Sequence, residues 1–211
     1  MIDLILLAAG NSRRFHTGSE GKKGNKLLYP WQGRPMCEAA LDRWSRAAKD
    51  CLDGGSVFVV AREPEILELA GRYAMHPVYS PESAQGISWS IRNGIRAARE
   101  HAEQTGRRQA DRYVFGVTDQ PMLMETTIRR FLKAAAGAEY ACLSWNREPG
   151  NPVSFPARAL GELLELEGDC GGKKVLRRHM EECVLVPAER EEELKDIDTP
   201  EQMTEAEQTQ K

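Results

Sequence analysis

The chain has 211 residues, 41% of them hydrophobic and 29% charged, with a formal net charge of −3. Such a length and composition fit one soluble domain with a sizeable core. The slight negative charge excludes broad electrostatic binding to nucleic acid or an anionic membrane, but permits a local basic pocket.

The first element predicted is a strand over 2–8, a short apolar run that leads into Ala8-Ala9-Gly10-Asn11-Ser12-Arg13-Arg14. Small side chains let the backbone approach a ligand, and two guanidiniums beyond them suit phosphate. Residues 16–25 hold Gly18, Gly21 and Gly24 with Lys22 and Lys23 and almost nothing apolar, so a mobile surface loop outside the core is expected. This segment lacks the glycine spacing of a P-loop, and no GxGxxG occurs in the chain. Lys26 closes it, followed by Leu27-Leu28, an apolar pair that anchors the lysine.

Helical periodicity follows over 35–50, with Pro35 expected at the first helical position, then over 64–73, 87–104 and 125–136. In the third of these, Ile87, Ile91, Ile95 and Ala98 define one buried face. Strands are predicted at 57–61, 113–117 and 140–144. The alternation of strands and helices gives βαβ units and an α/β fold, with a mostly parallel sheet covered on both faces. Thr199-Pro200-Glu201-Gln202 combines an N-cap, a first-turn proline and a capping-box glutamine, so a last helix starts there, with a polar tail fraying after about residue 205.

Several loops carry candidate chemistry. Asp119, in Val117-Thr118-Asp119-Gln120-Pro121, falls just past the carboxyl end of a strand, where open α/β sheets bind ligands. A carboxylate there suits a Mg²⁺ held against nucleotide phosphates, or simply caps the turn. Asp196 and Asp198 flank Ile197 and share one side of an extended segment, so one of them is a candidate second metal ligand. The loop 84–90 leads into a helix and presents glycine and hydroxyls at its N-terminus, suited to ribose, base or phosphate; 150–155 reads as a rigid, polar-tipped start of a strand, and 168–173 as a lid or anion nest.

No apolar run nears the ~20 residues that span a bilayer. Met1-Ile2-Asp3-Leu4 has neither the basic region nor the cleavage site of a secretory leader, so a cytoplasmic location is expected. Cys37, Cys51, Cys142, Cys170 and Cys183 are odd in number and form no CxxC pair, which fits reduced, mostly buried thiols. His179 and Cys183 lie four residues apart, too few ligands for zinc.

In chain order, LLAAGNSRR at 6–14, NKLL at 25–28, GRPM at 33–36, QGISWSIRNGI at 85–95, TDQP at 118–121, GNPVSF at 150–155, GDCGGKKVL at 168–176 and DIDTPE at 196–201 span nearly the whole sequence. Together they resemble the molybdenum cofactor cytidylyltransferase branch of the MobA-like NTP transferases. That resemblance implies a Rossmann-like, glycosyltransferase-A-like three-layer fold with a mixed, mostly parallel sheet. It implies Mg²⁺-dependent transfer of CMP from CTP to the phosphate of molybdopterin, with release of pyrophosphate and a molybdoenzyme as possible recipient.

By the same resemblance, Leu7, Ala8, Ala9 and Gly10 would hold the nucleotide, the last three against base and ribose. Ser12 and Arg14 would meet the triphosphate, with Arg13 left to solvent. Lys26 would neutralise phosphate charge, Asp119 and Asp198 would hold the metal, and Gly86 and Ser90 would recognise the nucleoside. Asn151, Pro152, Asp169, Gly171 and Gly172 would face the acceptor. Arg14, Lys26 and Asp119 would carry catalysis.

The sequence departs from the family pattern in three places. Phe15-His16 replaces an expected glycine after Arg14, the segment before Lys26 is long, and Thr118 stands where glycine often precedes the aspartate. A sugar- or alditol-phosphate nucleotidyltransferase of the same fold and a non-catalytic nucleotide-binding or chaperone-like relative are the competing readings.

Overall fold

The structure is a computed structural model that describes residues 1–10, 15–17 and 22–209. Seven strands form its main sheet: β1 (Ile2–Leu7), β2 (Val57–Ala61), β3 (His76–Tyr79), β4 (Arg112–Val117), β5 (Tyr140–Trp145), β6 (Glu148–Pro156) and β7 (Cys183–Pro187). They lie in the order β7-β5-β6-β4-β1-β2-β3. Only β6 runs against its neighbours, which makes the sheet mixed but mostly parallel.

The helices are α1 (Met36–Ala48), α2 (Pro64–Arg72), α3 (Ile87–Thr105), α4 (Glu125–Gly137), α5 (Leu160–Leu164), α6 (Lys173–Leu176) and α7 (Pro200–Thr209). Residues from α1, α2, α4 and α7 form the core on one face of the sheet, and those from α3, α5 and α6 form it on the other. The interior strand β1 is paired on both edges and buried on both faces, which is why residues 4–7 read as a continuous apolar run. The result is a three-layer, Rossmann-like α/β fold with a mixed, mostly parallel sheet.

Two strands, β3 and β7, went beyond those expected, while β6 covers the strand start read at 150–155. β3 is four residues long and contains Pro77, so periodicity has little to act on. β7 pairs only with β5 and is one of the two edge strands of the sheet. β5 and β6 form a hairpin through Asn146 and Arg147, at φ 47° and 69°. Such a turn usually advertises itself with Asn-Gly or Asp-Gly, and Asn-Arg carries no such signal.

Other expectations need correction. Pro35 lies at the N-cap of α1 rather than inside it, at the end of a short hairpin in which Arg34–Pro35 pairs with Pro30–Trp31. In the 16–25 segment, His16–Thr17 pairs with Lys22–Lys23. Phe15, just before it, is buried edge-on against Tyr29 with ring centroids 5.2 Å apart. On α3, Ile91, Ile95 and Ala98 are buried as the periodicity requires, whereas Ile87 is half-buried and borders a cavity.

The C-terminal capping box forms as read. Gln202 N donates to Thr199 Oγ1 (3.3 Å), while Gln202 Oε1 accepts from the backbone of Asp198 (2.8 Å) and Thr199 (3.2 Å). The helix continues to Thr209, past the expected fraying point, with Met203 and Ala206 buried in the core. All five cysteines are free, and burial pushes the Cys37 thiol up to about 12. His179 stacks on Tyr140 and hydrogen-bonds Glu162 at 2.8 Å, a packing role rather than a metal pair with Cys183. No helix among the described residues is long and apolar enough to cross a membrane.

Candidate active site

The carboxyl ends of β1 and β4 lie side by side, with Leu7 opposite Val117 in register. Beyond them opens a cavity with about 520 Å³ of empty space, part of it open to solvent. Its walls come from Leu7, Ala9 and Gly10 after β1, from Val117 and Asp119 after β4, and from Lys26 and Leu27. Ser83, Ile87, Ser90 and Asp169 complete the lining.

Lys26 is the electrostatic centre. Its Nζ donates to Asp119 Oδ2 at 2.8 Å and to Asp198 Oδ1 at 2.7 Å. Asn25 caps the short helical turn that carries it, accepting from Leu27 N at 2.9 Å, and buried Leu27 pins the turn. Burial opposes the ammonium charge, yet the carboxylates of Asp119 and Asp198 together hold its pKa above the ordinary lysine value.

Asp198 reaches Lys26 across 172 residues of sequence because the segment before α7 is stitched to the end of β4. Ile197 N donates to the carbonyl of Asp119 at 2.9 Å. Gln120 Nε2 donates to the Leu194 carbonyl at 3.0 Å and to Asp196 Oδ1 at 2.9 Å. Upstream, the fully buried Glu193 carboxylate accepts from the backbone of Met124, Glu189 and Arg190. The two acids of Asp196-Ile197-Asp198 therefore part ways, Asp196 to Gln120 and Asp198 to Lys26. Burial, and then the charge of Asp119, raises the Asp196 pKa.

A metal fits the donor set here. Asp119 Oδ1 is buried and accepts no hydrogen bond from the described residues, an uncommon condition for a carboxylate oxygen. No cluster of three or more His, Cys, Asp or Glu side chains suited to a metal occurs among the described residues. Two carboxylates plus substrate phosphates are a usual set for Mg²⁺.

Of the residues expected at the nucleotide, Leu7, Ala9, Gly10, Lys26, Ser90 and Asp119 meet at this cavity. Ala8 does not: its side chain is fully buried in the core, because alternation along the extended chain turns it away from Leu7 and Ala9. Ser12 and Arg14 lie outside the described residues. Gly86 acts through its backbone, at φ 141°; a Cβ there would lie 2.2 Å from the Gly168 carbonyl, which accepts from Ser88 N at 3.2 Å.

Of the expected acceptor residues, Asp169 lines the same cavity as Lys26 and Asp119, carried there by that contact between 168 and α3. Asn151 and Pro152 belong to β6, at an irregularity in its pairing with β5, and do not line the cavity. Gly171 packs near Ile87 and Gly172 beneath Phe155, where a Cβ would meet the ring at 3.1 Å. Ser83 was missed. It sits in a short turn of no recognisable pattern, and only its position beside Ser90 reveals it.

A protein-family model described as the MobA-like NTP transferase domain matches residues 4–183. No curated protein sequence matches this chain. Among solved structures, a nucleotidyl transferase from Methanothermobacter thermautotroptrophicus superposes with TM-score 0.78 at 22% identity, over 99% of this chain and 97% of that one. Rv0371c from Mycobacterium tuberculosis gives 0.73 at 21% identity over 98% and 97%, and has also been solved as a complex with manganese. Molybdopterin-guanine dinucleotide biosynthesis protein A from Archaeoglobus fulgidus gives 0.63 at 18% identity over 99% and 98%. At these identities the likeness is one of fold, and it is the family model that decides membership. The chain belongs to the MobA-like NTP transferase family and is a nucleotidyltransferase.

Proposed function

We propose that this cytoplasmic enzyme transfers CMP from CTP to the terminal phosphate of molybdopterin and releases pyrophosphate. The observation that carries the reading is the Lys26–Asp119–Asp198 cluster at the rim of a cavity walled by Ala9 and Gly10. One cation and two carboxylates at the carboxyl ends of β1 and β4 suit a nucleotide's phosphates and their metal.

An oxygen of the acceptor phosphate attacks the α-phosphorus of CTP, and the bond from that phosphorus to the bridging oxygen of the β-phosphate breaks. The nucleophile is already anionic, so no strong general base is required, and the cavity offers no Ser-His or Cys-His pair among the described residues. Catalysis is then in-line positioning plus charge neutralisation. Lys26 neutralises the phosphates, and Arg14 is proposed to join it. Asp119 and Asp198 would hold Mg²⁺, which when bound withdraws charge from the leaving pyrophosphate. Ala9, Gly10 and Ser90 would hold the nucleoside, and Asn151, Pro152 and the 168–172 loop would shape the path of the acceptor.

Pyrophosphate release with Mg²⁺ tests this, using CTP, GTP or ATP, each with and without molybdopterin. The expected result is fastest release with CTP and molybdopterin together. Preference for GTP would overturn the base assignment, and turnover only with a sugar or alditol phosphate would overturn the acceptor. Release that persists unchanged in Asp119→Ala would remove the metal assignment.

A further inference from the structure

Behind the wall of the nucleotide cavity lies a chain of hydroxyls. Ser80, Ser83 and Ser90 are all buried, at 0%, 2% and 3% exposure. Asn93 Nδ2 donates to Ser80 Oγ at 2.8 Å and to Glu82 Oε2 at 3.0 Å. Ser80 Oγ and Ser83 Oγ are 2.6 Å apart, and Ser90 Oγ donates to Ser83 Oγ at 2.7 Å. Ser83 and Ser90 line the cavity; Ser80 and Asn93 do not.

The order of protons follows from the donor inventory. An amide NH₂ only donates, so Ser80 accepts from Asn93. Among the described residues, the fully buried Ser80 hydroxyl has one other hydrogen-bond partner for its own proton, the oxygen of Ser83, and leaving that bond unmade would be costly. Ser83 thus accepts from both Ser80 and Ser90, and its own proton is left for the cavity. Ser90, having spent its proton on Ser83, shows the cavity an acceptor.

Resting on the reading of this cavity as a nucleoside triphosphate site, we propose that Ser83 is a specificity-determining residue for the nucleobase. Asn93 and Ser80 act as positioning residues that fix the direction of its hydrogen bond. The wall then presents a donor, Ser83, beside an acceptor, Ser90. Amino bases carry a ring-nitrogen acceptor beside an NH₂ donor: N3 and N4 in cytosine, N1 and N6 in adenine. Uracil and guanine carry a ring N–H beside a carbonyl oxygen at the same positions, which reverses the order. For a base held in one pose, the pair separates amino bases from their keto counterparts.

The test is calorimetric binding of CTP, UTP, ATP and GTP in the presence of Mg²⁺, with no acceptor. Wild type is expected to show unequal affinity for CTP and UTP. Ser83→Ala should weaken the preferred one about three- to tenfold, the worth of one neutral hydrogen bond, and shrink the CTP-to-UTP ratio towards one. Ser83→Thr keeps the hydroxyl and should restore the ratio.

The double variant Glu82→Gln/Asn93→Asp keeps every contact but reverses the relay. The carboxylate at 93 must accept from Ser80, Ser83 must then donate to Ser80, and the cavity loses its donor. It should reproduce the loss of ratio in Ser83→Ala while melting close to wild type, an outcome that a merely structural Asn93 would not give. An unchanged ratio in folded Ser83→Ala, with wild type still discriminating, overturns the inference and leaves the nucleotidyltransferase reading standing. Wild type that binds none of the four nucleotides overturns both.

Discussion

Lys26 is held by two carboxylates that reach it from 93 and 172 residues away in sequence. Its side chain is 6% exposed, while Asp119 and Asp198 keep 23% and 24%. In Lys26→Met the two acids face each other without their shared cation. The expected cost in a urea melt with chelator is about 2 kcal/mol, below the ~3–5 kcal/mol of a fully buried pair because both acids still touch water. Adding Asp119→Asn should recover part of that loss, and wild-type stability in the single variant would contradict the pairing. Pyrophosphate release should fall by about 10²–10³ in Lys26→Met, as when one group that stabilises developing charge is removed. At this scale the sequence was informative about Lys26 and Asp119, since both stand beside short anchoring runs. It did not reveal that the Ala8 side chain turns into the core, which depends on a one-residue alternation, and was silent on Ser83, which has no local pattern.

Helix α3 joins the sheet to the cavity. Its middle lies so close to β1 that a Cβ on Gly94 would stand 2.5 Å from Ile5 Cγ2 and 3.1 Å from Val60 Cγ2. Gly94→Val should therefore lower stability by about 2 kcal/mol through overpacking, read as a lower urea midpoint at unchanged slope. The N-terminal turn of the same helix brings Ser90 to the cavity and receives Gly168 against Ser88 N, so packing and ligand geometry share one element. Arg92 strengthens that union: it lies over the Trp89 ring at 5.0 Å and donates to the carbonyls of Leu164 and Leu166. Periodicity made α3 easy to find. The hairpin of β5 and β6 was hidden, because Asn146 and Arg147 adopt positive φ without the glycine that announces it.

Across the whole molecule, the candidate site lies at the carboxyl ends of β1 and β4, whereas His76 stands at the start of β3. The His76 ring is stacked on Phe58, with its centroid 4.1 Å from that of His101. Burial, His101 and Arg107 hold its pKa below the ordinary histidine value, with Asp3 in partial opposition. Above the unfolded value of about 6.5 both states are neutral there and stability is unaffected. As pH falls below it, the unfolded chain binds the proton first, so stability declines until the lower folded value is passed. Urea midpoints should drop between pH 7.5 and 5.5 by more in wild type than in His76→Leu, and equal drops would assign the acid sensitivity elsewhere.

Sequence by itself determined the layered α/β plan, the strand-to-loop start, the capped C-terminal helix and the family, because each is written in local periodicity, capping chemistry or collinear motifs. Tertiary structure alone decided that Asp198 rather than Asp196 meets Lys26, that Asp169 lines the same cavity as Lys26, and that Ser83 borders it. Those facts depend on backbone hydrogen bonds between distant segments, Ile197 to Asp119 and Ser88 to Gly168, which leave no periodic trace in the residues that make them.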